Sequence, residues 1–340
     1  MQALYEAFVT PFVPYSRDDK LPLPSVMPKR GAAITRVLDQ ENGAMHGEGG
    51  LKVVSLNVEM GKQLDAAVAD MRGENPDIIL LQEVDIGAPR SGSVDVVGEI
   101  ARSVGHSYVF ACEVENPAMR LDYRRPSAAY PTPQPGGVQG NAVTSRFPIL
   151  ESRAVVTRCP RKTEALRARH EAVKTHTAAV AVIDVPGTGP VAVYSIHLCP
   201  HHVTPQGRAQ QYLDIIADVQ QNNYERVIIG GDFNTLVCGP VKLMPGHWPS
   251  ARMLGTASEA AWFQTNAVEV GNALLRENTA LRDPFDKDRD TTFHSLRNMY
   301  AGKLDWLLVS NCLPIERCVV GPQHSCSDHD WVCVTLALPR

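Results

Sequence analysis

From Leu51 onward the sequence predicts an α/β fold. Two observations carry this. Short, β-branched apolar runs recur, each too brief for a helix and bounded by Gly, Pro, Asn or Asp. Between several of them lie longer segments with apolar residues at helical spacing. The apolar runs are nearly continuous rather than alternating, as in strands covered on both faces.

The elements follow in order. Lys52-Val-Val-Ser-Leu-Asn57 reads as a buried strand. Lys62–Arg72 reads as a helix, with Leu64, Ala67, Val68 and Met71 on one face. Asn75-Pro76-Asp77 breaks the chain before the strand Ile78-Ile-Leu-Leu81, and Ser93–Val104 reads as a second helix. Pro126–Gly137 is rich in Pro and Gly and predicts a loop. Strands are expected at Ala142–Ser145, Ala178–Val185 and Val191–Leu198. A helix is expected at Pro205–Gln221, with Leu213, Ile216 and Ala217 on its apolar face, and Arg226-Val-Ile-Ile-Gly230 is another buried strand. One or two helices are expected around Ala257–Phe263 and Ala267–Arg276, and strands return at Leu304–Val309, Ile315–Val320 and Trp331–Ala337. Residues 1–50 differ. Prolines at 11, 14, 22, 24 and 28 and the Gly-rich exit Gly43–Gly50 predict an extension that drapes over the domain or stays partly disordered. A short helix fits there only at Gly31–Gln40.

The chain has 340 residues, 44% hydrophobic and 21% charged, so it can bury a large core without disulfides or structural metal. No apolar run reaches the roughly 18–20 residues of a membrane helix. A membrane span, a disulfide mini-scaffold, collagen and wholesale disorder are excluded. The eight cysteines form no CxxC pair and sit beside apolar runs, which predicts reduced, buried thiols in a cytosol-like compartment, cytoplasmic or nuclear. No signal peptide is expected, because Pro11 and Pro14 interrupt the apolar patch near the N-terminus. Net charge is −4, yet Arg120 to Lys174 holds eleven Lys/Arg against four Asp/Glu, a local +7. This stretch is either a basic wall around a phosphate-handling site or a solvated loop face.

Polar residues stand where the strands stop. Strand one ends at Asn57, strand two at Gln82-Glu83, another at His197, and another at Gly231-Asp232-Phe233-Asn234. Asp305 opens a strand and Ser327-Asp328-His329 precedes the last one. Strand ends are where α/β proteins bind ligands. Taken singly, each residue also has an ordinary reading as a turn, a cap or a hydrogen-bonded core group. Six such groups at separate strand ends argue for a site.

This order resembles the endonuclease/exonuclease/phosphatase (DNase I-like) superfamily. The matching segments are Ser55-Leu56-Asn57, Leu81-Gln82-Glu83-Val84, Gly140–Ile149, Ser195-Ile196-His197-Leu198, Gly231–Asn234, Lys303-Leu304-Asp305-Trp306 and Ser327-Asp328-His329. The resemblance implies a four-layer α/β/β/α sandwich of two packed mixed β-sheets with outer helices. It also implies one catalytic domain over residues 51–340, with residues 1–50 as an extension. It implies a phosphoester hydrolase in which Asn57, Glu83 and Asp328 serve a metal. Oxygen donors without thiolates suit Mg²⁺, or Mn²⁺ as a substitute. By the same resemblance Asp232 orients or deprotonates the attacking water, Asn234 helps fix it, and His329, held by Asp305, contacts the phosphate. His197 would hydrogen-bond a non-bridging oxygen and Asn141 would touch the phosphate, while Arg146 reads as structural. Either Asp232 or His329 could be the base.

Nucleic acid is the expected substrate. The basic stretch suits a polyanion, and Tyr123, Arg124, Arg125 and Tyr130 interleave aromatics with charge. A small phosphorylated metabolite or lipid is the alternative, and a binding scaffold of the same fold is a third reading. The intact set of Glu83, Asp232, Asn234, Asp328 and His329 argues against that third reading. A transition-metal site at Cys199, His201 and His202 has no supporting spacing. No protein partner is predicted.

Overall fold

A computed structural model describes residues 15–38, 50–117, 136–158, 174–199, 205–235, 259–286, 290–295, 300–323 and 325–338. The elements run β1 (Ala33–Arg36), β2 (Leu51–Asn57), α1 (Leu64–Glu74), β3 (Ile78–Ile86), α2 (Val96–Val104), β4 (Ser107–Glu115), β5 (Val138–Ser145), β6 (Ile149–Val156), β7 (Thr177–Val185), β8 (Gly189–His197) and α3 (Pro205–Gln221). They continue as β9 (Val227–Asp232), α4 (Glu259–Phe263), α5 (Glu269–Asn272), β10 (Leu281–Arg282), β11 (Phe293–Ser295), β12 (Tyr300–Gly302), β13 (Asp305–Ser310), β14 (Ile315–Val320) and β15 (Val332–Leu336).

Two mixed sheets result. One has seven strands in the order β1-β4-β5-β3-β2-β15-β14, and the other six in the order β10-β13-β9-β8-β7-β6. Period two along each buried run decides which core a side chain enters. On β2, Val54 and Leu56 pack toward α1 and α2, while Leu51 and Val53 face the second sheet. On β8, Val191 and Val193 face the first sheet, while Tyr194 and Ile196 pack toward α3 and α4. Three apolar layers therefore separate four structural layers, the α/β/β/α sandwich expected from the resemblance. Glu113 on β4 and Gln82 on β3 reach across to the second sheet; Gln82 Nε2 donates to Ser195 Oγ at 2.9 Å.

Several elements differ from the sequence reading. The short helix expected within Gly31–Gln40 is the edge strand β1, antiparallel to β4 through Ala33↔Ala111 to Arg36↔Tyr108. The β-branched Ile34 and Thr35 suit a strand, and β4 offers an unpaired edge. Strand β4 itself was not foreseen. The two helices expected after Ala257 form one path, in which α4 passes through a wider π turn at Gln264–Val268 into α5. Residues 15–36 lie against the domain: Tyr15 Oη donates to Glu99 Oε2 at 3.2 Å, and Arg36 Nη1 pairs with Asp95 Oδ2 at 2.8 Å. Of the six cysteines described, Cys112, Cys199, Cys326 and Cys333 are buried, but Cys312 and Cys318 are exposed. Cys318 lies on the edge strand β14 and Cys312 in the turn between β13 and β14. Among the described residues no helix is long and apolar enough to cross a membrane. Tyr123, Arg124, Arg125, Tyr130, His201, His202, Cys159 and Cys238 lie outside the described residues.

Candidate active site

The site forms where two parallel strand pairs, β2/β3 and β8/β9, end side by side. In the second sheet His197 pairs in register with Asp232, and Asp232 pairs with Asp305 on β13. Three functional residues thus occupy one row across three strands. Gly231, with φ +147, permits this crossing: a Cβ there would lie 1.8 Å from the Ile196 carbonyl oxygen. Asn234 adopts a left-handed φ of +52 and its amide N–H donates to Asp232 Oδ1 at 2.8 Å. This Asx turn fixes one carboxylate oxygen. The other, Oδ2, accepts from Asn57 Nδ2 at 3.2 Å and faces two imidazoles, His197 Nε2 at 3.5 Å and His329 Nε2 at 3.7 Å. His329 Nδ1 meets Asp305 Oδ2 at 2.8 Å. Asp305, His329 and Asp232 thus form a charge relay in the buried floor in which the Asp305–His329 step is at hydrogen-bond distance and the His329–Asp232 step is an ion contact.

Glu83 arrives from the other sheet by a backbone irregularity. The β3/β5 register shifts between Leu81 and Val84, and Glu83 has φ +55. Bulges of this kind redirect a side chain at functional sites. Gln82 keeps the strand row and ties the sheets, while Glu83 is left 26% exposed, with Oε1 3.9 Å from His197 Nε2. Glu59 and Met60, at φ +45 and +65, form a second strained turn directly after Asn57. It brings Glu59, missed in the sequence, to the edge of the site, paired with Lys62 and with Oε2 buried and unpartnered. Nothing in Asn57-Val58-Glu59 distinguishes it from a surface acid; the strained turn buries it.

The electrostatics follow from burial and neighbours. Burial and the Asp328 charge push the Glu59 carboxyl up to about 7, against the opposing effect of Lys62. Burial would also raise Glu83, but His197, Lys174, His329 and Lys62 together hold it below the usual carboxylate range. Burial raises Asp232 despite both histidines. Burial, then the Lys174 charge, holds His197 below its ordinary value. Burial would lower His329 as well, but Asp305, Asp232 and Asp328 carry it well above. The site thus sets a neutral imidazole and an imidazolium on either side of one carboxylate.

The remaining expectations divide. Asp328 is half-buried beside His329, accepts from Ser327 Oγ at 3.3 Å, and its charge reaches both Glu59 and His329. Asn234 Nδ2 donates to the Leu198 carbonyl at 3.0 Å, tying β9 to the exit of β8. Asn141 stands opposite the Glu83 bulge on β5 but has no exposed surface, and its Nδ2 donates to the Thr177 carbonyl at 2.7 Å. In this structure it joins the two sheets. Arg146 contacts Asn75 and Pro76 and pairs with Asp77 at 3.3 Å, so it is structural. The described members of the basic stretch are each paired with a carboxylate: Arg146 with Asp77, Arg153 with Asp218, Arg158 with Asp214 and Lys174 with Glu113.

The donor set fits a hard divalent cation. Glu83, Asp328 and the Asn57 amide offer oxygens, and the unpartnered Glu59 Oε2 adds a further acceptor at the edge of the site. Among the described residues no three His, Cys, Asp or Glu side chains close into a cage.

A model of the Endonuclease/Exonuclease/phosphatase family matches residues 54–329. No curated protein matches the sequence. The fold is similar to an endonuclease/exonuclease/phosphatase from Beutenbergia cavernae (18% identity, 86% of this chain and 72% of that one, TM-score 0.60). It is also similar to the human Nocturnin catalytic domain with bound sulfate (18% identity, 86% and 94%, TM-score 0.54). A third likeness is the mannosyl-6-phosphatase Bt3783 of Bacteroides thetaiotaomicron (14% identity, 85% and 100%, TM-score 0.51). At these identities the likenesses show the fold.

Proposed function

The chain belongs to the endonuclease/exonuclease/phosphatase family, and on that premise we propose that it is a divalent-metal-dependent phosphoester hydrolase, with nucleic acid as its substrate. The observation that carries this is the Asp232 carboxylate, in register between His197 and Asp305 and within 3.7 Å of His329.

Asp232 is the base for the attacking water. Its raised pKa improves proton acceptance, and Asn234 and Asn57 fix its two oxygens. His329, kept charged by Asp305, donates to a non-bridging phosphoryl oxygen from Nε2. His197, kept neutral, presents Nε2 to the same region without adding a second positive charge. Glu83 and Asp328, with Asn57, would hold Mg²⁺, or Mn²⁺ in its place, which would supply charge neutralisation when bound. A scaffold that only bound ligand would gain little from burying these carboxylates and imidazoles together, which costs stability.

A small phosphorylated metabolite or lipid is the second reading. It is favoured by the pairing of every described residue of the basic stretch with a carboxylate. The test is end-labelled single- and double-stranded DNA and RNA, with Mg²⁺ or EDTA, and Asp232→Asn as the blank. Metal-dependent cutting absent from the blank supports the first reading. No cutting, with release of phosphate from small esters, moves the substrate to the second. Full activity in Asp232→Asn removes the mechanism.

A further inference from the structure

We propose that Lys174 holds a non-bridging oxygen of the substrate phosphoryl group, with Glu113 as the positioning residue that aims it. The proposal rests on the phosphoester reading above and deepens it by assigning an anion subsite.

Lys174 stands just before β7, at the site end of the second sheet, and is only 6% exposed. Its Nζ lies 2.8 Å from Glu113 Oε2. An ammonium carries three donors. Among the described residues Glu113 is its one acceptor, so two donors of a buried cation remain for a ligand. Its charge reaches both Glu83 and His197, the two groups at the junction of the sheets. Lys62 also bears on Glu83. Arg146, Arg153 and Arg158 each make at least two contacts with acceptors away from the site.

Glu113 is built to hold Lys174 still. The Thr177 amide donates to Glu113 Oε1 at 3.1 Å, and the Thr175 amide donates to the Glu113 carbonyl at 2.9 Å. His176 Nδ1 is 3.9 Å from the same Oε1. Thr175 and Thr177, which follow Lys174 in the chain, are thus clamped to β4. A buried ion pair used only to join two sheets is poorly chosen, because apolar residues of similar volume do that as well or better. Placed beside a phosphoryl group, the same ammonium gives a charge-assisted hydrogen bond to oxygens on which negative charge is spread. No covalent step is involved.

The test is binding of inorganic phosphate to the full chain with Mg²⁺ present, by isothermal titration. KM and kcat on bis(p-nitrophenyl) phosphate are measured beside it, for wild type, Lys174→Met, Lys174→Arg and Glu113→Gln. Lys174→Met is expected to weaken phosphate binding and raise KM by at least about tenfold, as for loss of a charged hydrogen bond. Lys174→Arg should restore most of this. Glu113→Gln keeps an acceptor for the Thr177 amide but no longer holds the ammonium in place, so phosphate should bind more weakly, though less so than in Lys174→Met. A merely structural pair predicts a lower melting temperature in Glu113→Gln and no change in phosphate affinity. If Lys174→Met does not fold, Lys174→Gln replaces it. Unchanged phosphate affinity in that charge-removing variant, or no phosphate binding by wild type, overturns the proposal; continued turnover would then leave the hydrolase reading intact. Lys174-dependent phosphate binding without hydrolysis of any ester would remove the hydrolase reading and keep the anion subsite.

Discussion

Replacing Asp305 by Asn removes one charge and almost no volume. Asp305 Oδ2 sits 2.8 Å from His329 Nδ1, and both residues are buried. Burial alone would hold the His329 pKa down; Asp305, then Asp232 and Asp328, carry it well above the ordinary value. Two unit charges about 4 Å apart at an effective dielectric of about 20 attract by about 4 kcal/mol, or about 3 pKa units. Asp232 still faces Nε2 at 3.7 Å in the variant and keeps part of the elevation. The His329 pKa should therefore fall, with burial no longer opposed by Asp305. Because an imidazolium is needed at the phosphate, the alkaline limb of the kcat profile should move down by the same amount. Loss of charge with geometry kept should lower kcat by about 10² to 10⁴. Stability gives an independent reading. A histidine raised on folding contributes fully below its unfolded pKa of about 6.5 and loses that contribution as pH rises through the folded value. Wild type should thus exceed Asp305→Asn most in acid and least at high pH. The measurements are an NMR titration of the His329 ring, kcat against pH, and melts across the same range. An unmoved His329 pKa, or wild-type kcat throughout, would refute the relay.

Three further outcomes are expected. The Glu59 carboxyl, raised from 4.5 to about 7, costs the folded protein at most about 3 kcal/mol above pH 7. Glu59→Gln should therefore gain on wild type between pH 5 and pH 8 in EDTA melts, and Mg²⁺ should stabilise it less; parallel curves would place Glu59 outside the acidic cluster. Arg146→Met breaks a buried pair with Asp77 and the bonds to Asn75 and Pro76, and should lower stability by about 3–5 kcal/mol in urea titration while kcat in native buffer is kept. A selective loss of kcat would return Arg146 to the site. Gly231→Ala puts a Cβ 1.8 Å from the Ile196 carbonyl and should abolish soluble folded protein; a normal melting temperature would mean that β8 and β9 do not close as described.

Much of the fold was legible because buried strands need apolar runs on both faces and helices need an apolar stripe. Lys52–Asn57, Pro205–Gln221 and Val227–Gly230 were readable for that reason. Strand β1 was not, because Ala33-Ile-Thr-Arg36 is too short for periodicity to speak and its state was decided by the free edge of β4. The same division holds in the site. Asn57, Glu83, His197, Asp232, Asp305 and His329 were visible as polar residues closing apolar strands. That His197, Asp232 and Asp305 share one row depends on strand order, which local sequence does not encode.

Sequence alone determined the alternation of elements, the polar strand ends and the oxygen-rich donor set. Only the tertiary structure decided what those groups do to one another. It buried Glu59 beside the site from a segment the sequence did not single out, buried Lys174 from a stretch the sequence left open between a site wall and a solvated face, tied Asn141 to Thr177 across the sheets, and split His197 from His329 in charge. The physical reason is that charge state depends on burial and on carboxylates within a few ångströms. Those neighbours, such as Asp305 and His329 at 24 positions apart, meet only when the sheets close.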